Sequence, residues 1–397
     1  MPKRHDDLFA GIANFQALHT AFRAAIKGKR RAPGAAAFAA NLEPNLPRLE
    51  RELLARTWRP GRCTEIKIND PKPRIVSAAP FRDRVVHHAL HAVIGPIFER
   101  GFIDHSYANR IGKGTHRAIV RYEKWRDCHA QVLRCDIYRY FPAIDHAILK
   151  QTIRRRIGCP DTLWLIDSLI DGSNDQEPVT IHYPGDSLLT PLERRRGLPI
   201  GNLTSQFFAN VYLDGLDHFV TEILRAPYLR YVDDFALFHD DPKVLAGWRD
   251  RIGVWLAGRR LSLHPGKTLV QSTRTASTFL GLVLQPGRRR LPEEAVTRFR
   301  GRLRGMRDRW RGGTLDTNGI DARVQAWIAH ASSAAAPGTT IPGTSARAAG
   351  TGTIPGTGTT TPASVWPARL HARAGRVTAR PGAPRLRPGA VMMSGAA

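Results

Sequence analysis

The sequence predicts an α+β protein: a small antiparallel sheet backed by helices, followed by a disordered tail. Short apolar runs lead into acids at Val132-Leu133-Arg134-Cys135-Asp136 and at Leu229-Arg230-Tyr231-Val232-Asp233-Asp234-Phe235-Ala236-Leu237-Phe238. The second run reads as two strands folding back on each other, with the acids at the tight turn. Around these runs, apolar residues recur at helical spacing. From about Ser332 the composition changes abruptly to Gly, Thr, Pro, Ala and Arg, with no acids and little that could pack.

In chain order, residues 7–57 read as helical, through Leu8, Ile12, Phe15 and Leu18 and then Leu49, Leu53 and Leu54, with a break at Ala32-Pro33-Gly34. The cluster Lys27 to Arg31 suits a solvated helix end as well as an RNA contact. Residues 66–80 alternate like two strands joined by a turn at Asn69 to Pro73, which places Lys72 and Arg74 at or near a hairpin tip. Cations there suit a bound triphosphate, or simply a solvated turn. A helix opens at Phe81; its neighbours His87 and His88 diverge on a helix and read as structural. The loop Ser106 to Arg117 carries two glycines and runs into a helix at Ala118. Its amides and cations suit a template phosphate, although glycines mark any tight turn.

Beyond Asp136 the pattern is a turn into a helix, with the aromatic pair Tyr140 and Phe141. Residues 171–195 are polar and irregular, with a short strand expected around Val179 to His182. The stretch Arg196 to Gln206 leads into an amphipathic helix, which Ser205 or Asn202 can cap; Asp214 and Asp217 on it can add to a metal cluster, but a surface-facing role is expected. There follow a helix from Lys243 to Leu256, a turn from Leu261 to Thr268, and a strand from Phe279 to Leu284. Lys267 in that turn can reach a pyrophosphate leaving group or be a plain turn lysine. Residues 295–330 read as a basic helical pair, whose arginines, Arg300 and Arg304 among them, can track a duplex backbone.

The 397 residues carry a formal net charge of +26, which calls for a large anionic partner. Nucleic acid leads. A membrane surface comes second, because no long apolar stretch and no basic amphipathic anchor is present. The start, Met1 to Asp7, is not followed by a signal-peptide core, so a cytoplasmic location is expected. Cys63, Cys128, Cys135 and Cys159 never form a Cys-x-x-Cys pair and are expected to be reduced and structural.

Adjacent carboxylates at Asp233 and Asp234 repel each other, and a hard divalent cation is their natural neutraliser; an Asp-Asp hairpin turn without a ligand is the alternative. Asp136 alone suits a strand-end or helix-capping role. Together, three carboxylates from two strand ends can hold two Mg²⁺ ions for phosphoryl transfer to a primer 3′-hydroxyl. That is polymerase chemistry.

In the order of these motifs the chain resembles the reverse transcriptases, over roughly residues 40–330. The resemblance implies a right-hand polymerase fold: an N-terminal helical segment (1–60), fingers (61–131), palm (132–285), a short basic thumb (286–331) and the tail (332–397). It implies Asp136, Asp233 and Asp234 as catalytic Mg²⁺ acids, with Ile137 in the metal set. Phe141 would be the gate against a ribose 2′-hydroxyl. Lys72, Arg74, Ile200, Gly201, Gln206 and Lys267 would contact the nucleotide, and Arg110, Lys113, Gly114, Arg300 and Arg304 the nucleic acid. Most reverse transcriptases carry Gln-Gly-x-x-x-Ser-Pro where this chain has Ile200-Gly201-Asn202-Leu203-Thr204-Ser205-Gln206. That form resembles the reverse transcriptases of diversity-generating retroelements, which implies error-prone copying opposite template adenines, a template-repeat RNA and a small basic accessory protein. Replacing Gln with Ile200 removes hydrogen bonding beside the nascent pair, which weakens discrimination against mispairs. The other readings are a retron or phage-defence reverse transcriptase and a catalytically inactive basic RNA-binding protein.

Overall fold

A computed structural model describes residues 3–68, 74–174, 176 and 179–332, with the side chains of Arg74 and His330 not included. The chain divides into Met1–Pro342 and Gly343–Ala397, and the second unit, like the whole of 333–397 where the disordered tail is expected, lies outside the described residues. The first unit begins with helices α1 (Phe15–Ile26), α2 (Pro33–Ala40) and α3 (Leu42–Leu54), then the strands β1 (Thr64–Ile68) and β2 (Arg74–Ala78). Next come α4 (Phe81–Glu99), α5 (Thr115–Cys128), β3 (Gln131–Asp136), α6 (Tyr140–Ala143), α7 (His146–Arg154), α8 (Pro160–Asp171), α9 (Thr190–Glu193) and α10 (Leu203–His218). The rest is β4 (Tyr228–Tyr231), β5 (Asp234–His239), α11 (Pro242–Ala257), β6 (Leu269–Ser272), β7 (Ser277–Phe279), β8 (Leu282–Gln285), β9 (Arg288–Arg290), α12 (Glu293–Arg311) and α13 (Thr317–Ser332).

The N-terminal helices form where the periodicity places them. Asn14 caps α1 by accepting from the Ala17 amide at 2.8 Å, and Pro33 opens α2, where a missing N–H removes nothing. Phe22, Phe38 and Phe81 then join α1, α2 and α4 through ring contacts of 5.5–6.1 Å. The β1–β2 hairpin pairs antiparallel from Thr64–Ala78 to Ile68–Arg74, and every residue of β1 is exposed. Its turn, including Lys72, lies outside the described residues.

The central sheet has the order β4-β5-β3-β6, antiparallel throughout. Alternation of side chains along each strand gives it two buried faces. Leu133, Cys135, Tyr228, Phe235 and Leu237 join the core of α10 and α11, while Val132, Leu229, Ala236 and Phe238 pack with Ala118, Ile119 and Tyr122 of α5 and with Phe279, Leu282 and Leu284. Register is therefore fixed from both sides, because a one-residue slip would exchange the faces.

Several expectations are corrected. The single strand expected from Phe279 to Leu284 is a hairpin, with Leu280 and Gly281 at φ 48° and 83° in the turn between β7 and β8. Residues 179–182 form no strand, and α5 starts at Thr115 rather than Ala118. Asp217 is fully buried rather than surface-facing, and Asp214 is half-buried beside it. The basic helical pair is present as α12 and α13, joined by Phe299 stacked on Trp327 at 4.0 Å. Among the described residues no helix is long and apolar enough to cross a membrane, and all four cysteines are free.

His87 is buried in α4, and burial, with the charges of His88 and Arg84 adding to it, pushes its pKa down to about 4. A depressed histidine contributes stability that is complete above the unfolded value near 6.5 and is lost as pH falls toward 4. Thermal or urea unfolding across pH 6.5 to 4 is expected to show a loss of about 2–3 kcal/mol that is absent in His87→Leu.

Candidate active site

The antiparallel register of β3 with β5 sets Asp136 directly opposite Asp234, and the β4–β5 hairpin turns through Val232 and Asp233. All three acids therefore gather at one end of the sheet. Val232 takes φ +59°, a left-handed conformation unfavourable for a β-branched residue. The main chain beyond Asp136 brings in a further loop. Ile137 bridges to Leu263, the His264 amide donates to the Asp136 carbonyl at 2.7 Å, and the Tyr138 amide donates to the Ser262 carbonyl at 2.9 Å. That loop delivers Lys267, whose Nζ donates to Asp136 Oδ2 at 2.7 Å. The Ile137 side chain itself is buried in the core.

Burial, followed by the charges of Asp234 and Asp136, pushes the Asp233 pKa up to about 6. Asp234 is likewise raised, by burial first and then by Asp136. These carboxylates are short of positive charge, and Lys267 supplies one. Among the described residues no three His, Cys, Asp or Glu side chains stand arranged to hold a metal ion, and Asp136 is engaged with Lys267. In kind, the donors fit Mg²⁺: hard carboxylate oxygens, crowded and partly desolvated, whose mutual repulsion a divalent cation would relieve.

The segment around Ile200 is bonded to β2 and to the turn that follows Asp136. The Ser77 amide of β2 donates to the Ile200 carbonyl at 2.8 Å, and the Leu198 amide donates to the Phe141 carbonyl at 2.9 Å. Gly201 has φ +114°, and a Cβ there would stand 2.6 Å from Val76 Cγ1, so only glycine lets β2 pack this closely. Asn202 is buried at the start of α10, but its side chain does not cap the helix; Oδ1 accepts from the Ala79 amide at 3.2 Å instead. Ile200, Gly201 and Phe141 are thus tied to the foot of the hairpin that carries Lys72 and Arg74. Gln206 is half-buried in the first turn of α10.

Arg110 is turned inward, bonded to Glu99 and to the carbonyls of Ile103 and Ser106 at 2.5–2.8 Å. Lys113 pairs with Asp104 over the Tyr107 ring, and Gly114, at φ +104°, caps α5. The exposed cations here are others: Arg117 and Lys124 line a cleft of about 400 Å³ with His116, Arg121 and Lys113. Their spacing on α5 was the available signal. Arg300 and Arg304 are exposed on α12. At the N-terminus of α5, Thr115 Oγ1 donates to the Tyr231 hydroxyl at 3.1 Å. The buried pair Arg230–Asp217, at 2.6 Å, also escaped the sequence reading. Its only sign is a charged residue inside an apolar strand.

Residues 66–284 match the family model described as reverse transcriptase (RNA-dependent DNA polymerase), and the chain belongs to this family. Among curated relatives, Protein YkfC of Escherichia coli (strain K12) is 26% identical over 298 residues, covering 65% of this chain and 75% of that protein. The "Putative COX1/OXI3 intron 1 protein" of Saccharomyces cerevisiae is 22% identical over 162 residues, covering 40% of this chain and 18% of that protein. Among solved structures, telomerase from Candida albicans in complex with a fragment of telomeric RNA superposes with a TM-score of 0.39 at 14% identity, over 59% of this chain and 46% of that one. The superposition is too loose to add to the assignment, which rests on the family match.

A raised carboxyl pKa favours the folded state while the group is protonated, and that contribution is lost as pH rises from about 4 through the folded value near 6. In chelator, Asp233→Asn is therefore expected to be more stable than the parent above pH 6, by about 1–3 kcal/mol, with the difference closing near pH 4. Thermal unfolding across that range measures it.

Proposed function

We propose that this chain is the RNA-directed DNA polymerase of a diversity-generating retroelement, extending a DNA primer along a template-repeat RNA with dNTPs and two Mg²⁺ ions. Asp136, Asp233 and Asp234 would hold the metal, with Ile137 beside them. Bound there, Mg²⁺ supplies the charge that activates the primer 3′-hydroxyl and steadies the triphosphate. Lys267, bonded to Asp136, would give up that partner and meet the leaving pyrophosphate. Lys72 and Arg74 would close over the triphosphate from the hairpin, and Phe141 would exclude a 2′-hydroxyl. In domain terms, residues 61–131 would serve as fingers, 132–285 as palm and 286–331 as a thumb whose Arg300 and Arg304 follow the duplex. A small basic accessory protein would complete the assembly, which would work in the cytoplasm.

The observation that carries the retroelement reading is Ile200. An apolar side chain stands where most of the family has Gln, in a segment bonded both to β2 and to the Phe141 turn. Without the amide, correct and incorrect pairs differ less in hydrogen bonding, so discrimination rests more on shape. The names of these relatives, one of them an intron protein, do not single out this class from other reverse transcriptases.

Primer extension on an RNA template with scattered adenines, followed by sequencing of the products, tests both levels. Asp233→Ala is expected to lower Mg²⁺-dependent incorporation by more than about 100-fold. The parent is expected to misincorporate mainly opposite adenine, and Ile200→Gln to reduce those errors by about tenfold. Accurate copying by the parent would keep the polymerase and remove the retroelement assignment. If no synthesis occurs even with accessory protein and cognate RNA, the chain is a basic RNA-binding protein.

A further inference from the structure

Arg230 is fully buried, one strand residue before Tyr231, and nucleotidyl transfer as described above gives it no task. Its guanidinium forks onto Asp217 of α10, Nε to Oδ1 at 2.7 Å and Nη2 to Oδ2 at 2.6 Å, and the Tyr228 hydroxyl donates to the same Oδ1 at 2.8 Å. Nη1 remains. It donates to Asn210 Oδ1 at 3.1 Å and to the carbonyl of Val232 at 3.0 Å. Asn210 is itself fixed, because its Nδ2 donates to the Ala108 carbonyl at 2.9 Å. The main chain of Arg230 is bracketed as well: its amide donates to His105 and its carbonyl accepts from Tyr107.

The Val232 carbonyl belongs to the peptide unit that joins Val232 to Asp233. Because that unit is planar, fixing the direction of its oxygen restricts the direction in which the Asp233 side chain leaves the main chain. Val232 is also β-branched and held at φ +59°, a state that persists only where the surroundings impose it. We propose that Arg230, held by Asp217 and Asn210, is a positioning residue that sets the Asp233 carboxylate by locking the Val232–Asp233 peptide plane. This rests on the reading of Asp233 as a metal-binding catalytic acid. It makes α10 the rod along which the Ile200 segment and the acidic turn are aligned, since Asn202 stands at one end of that helix and Asp217 near the other.

A purely structural role would be met by any core that packs equally well. The apolar triple variant Arg230→Met, Asp217→Leu, Tyr228→Phe removes the charges together, a change that buried ion pairs commonly tolerate, and deletes the bond to Val232. Arg230→Lys keeps a charge opposite Asp217 but cannot form the fork and reach Val232 as well. Three readings are taken on each: thermal unfolding, Mn²⁺ binding followed by electron paramagnetic resonance without turnover, and the split of kcat from KM for dNTP. A folded variant is expected to melt within a few degrees of the parent, to bind Mn²⁺ at least about tenfold more weakly and to lose kcat by a similar factor, with KM for dNTP little changed. Parent-like Mn²⁺ affinity and kcat in either folded variant would overturn the proposal. Collapse of both variants would overturn it too, because it would assign the network to stability alone. Asp233→Ala is run in parallel. If that variant retains Mn²⁺ binding and activity, it is the reading of Asp233 that fails, and the two failures stay distinguishable.

Discussion

Mutual repulsion among Asp136, Asp233 and Asp234 is the constraint on which the rest of the structure depends. At one sheet end, burial first and then the charge of neighbouring carboxylates raise the pKa of Asp233 and Asp234, and the acids would separate if the main chain allowed it. The chain does not allow it. Register sets Asp136 across from Asp234, and that register is clamped because both faces of the sheet are buried, one under α10 and α11 and the other under α5 and the β7–β8 hairpin. The folding free energy of two apolar cores thus maintains a local arrangement that electrostatics opposes.

The same scaffold links the acids to their surroundings through main-chain bonds rather than loose side-chain contacts. Ile137 and Tyr138 tether the loop that carries Lys267, and Ser77 tethers the Ile200 segment to the hairpin. A steric requirement underlies the second link. At Gly201 the close approach of Val76 leaves no room for a side chain. In the proposed reaction, the elements that would hold the metal, the nucleotide and the template base are therefore parts of one bonded unit. Strand β1 of that hairpin is exposed at every residue.

Much of this was legible in the sequence wherever periodicity and chemistry agree. The runs ending at Asp136 and passing through Asp233-Asp234 read correctly as strands with acids at their ends, because apolar strands and a two-residue turn leave a distinct local pattern. The Phe279 to Leu284 run misled, because a positive-φ turn at Leu280-Gly281 interrupts an apolar stretch that shows no polar break. Asp217 misled for a different reason. Whether an acid on an amphipathic helix faces solvent depends on its partner, and Arg230 lies thirteen residues away on a strand. Arg110 and Lys113 looked like phosphate contacts, but their bonds to Glu99 and Asp104 are tertiary facts that no local pattern displays.

The central claim is that the three acids form a divalent-cation site. Mn²⁺ titration by electron paramagnetic resonance, with a chain-terminated primer on an RNA template and a matched dNTP, measures this without turnover. The account predicts two ions bound per chain, with at least one lost in Asp136→Asn. Binding that is absent, or unchanged in that variant, would contradict it.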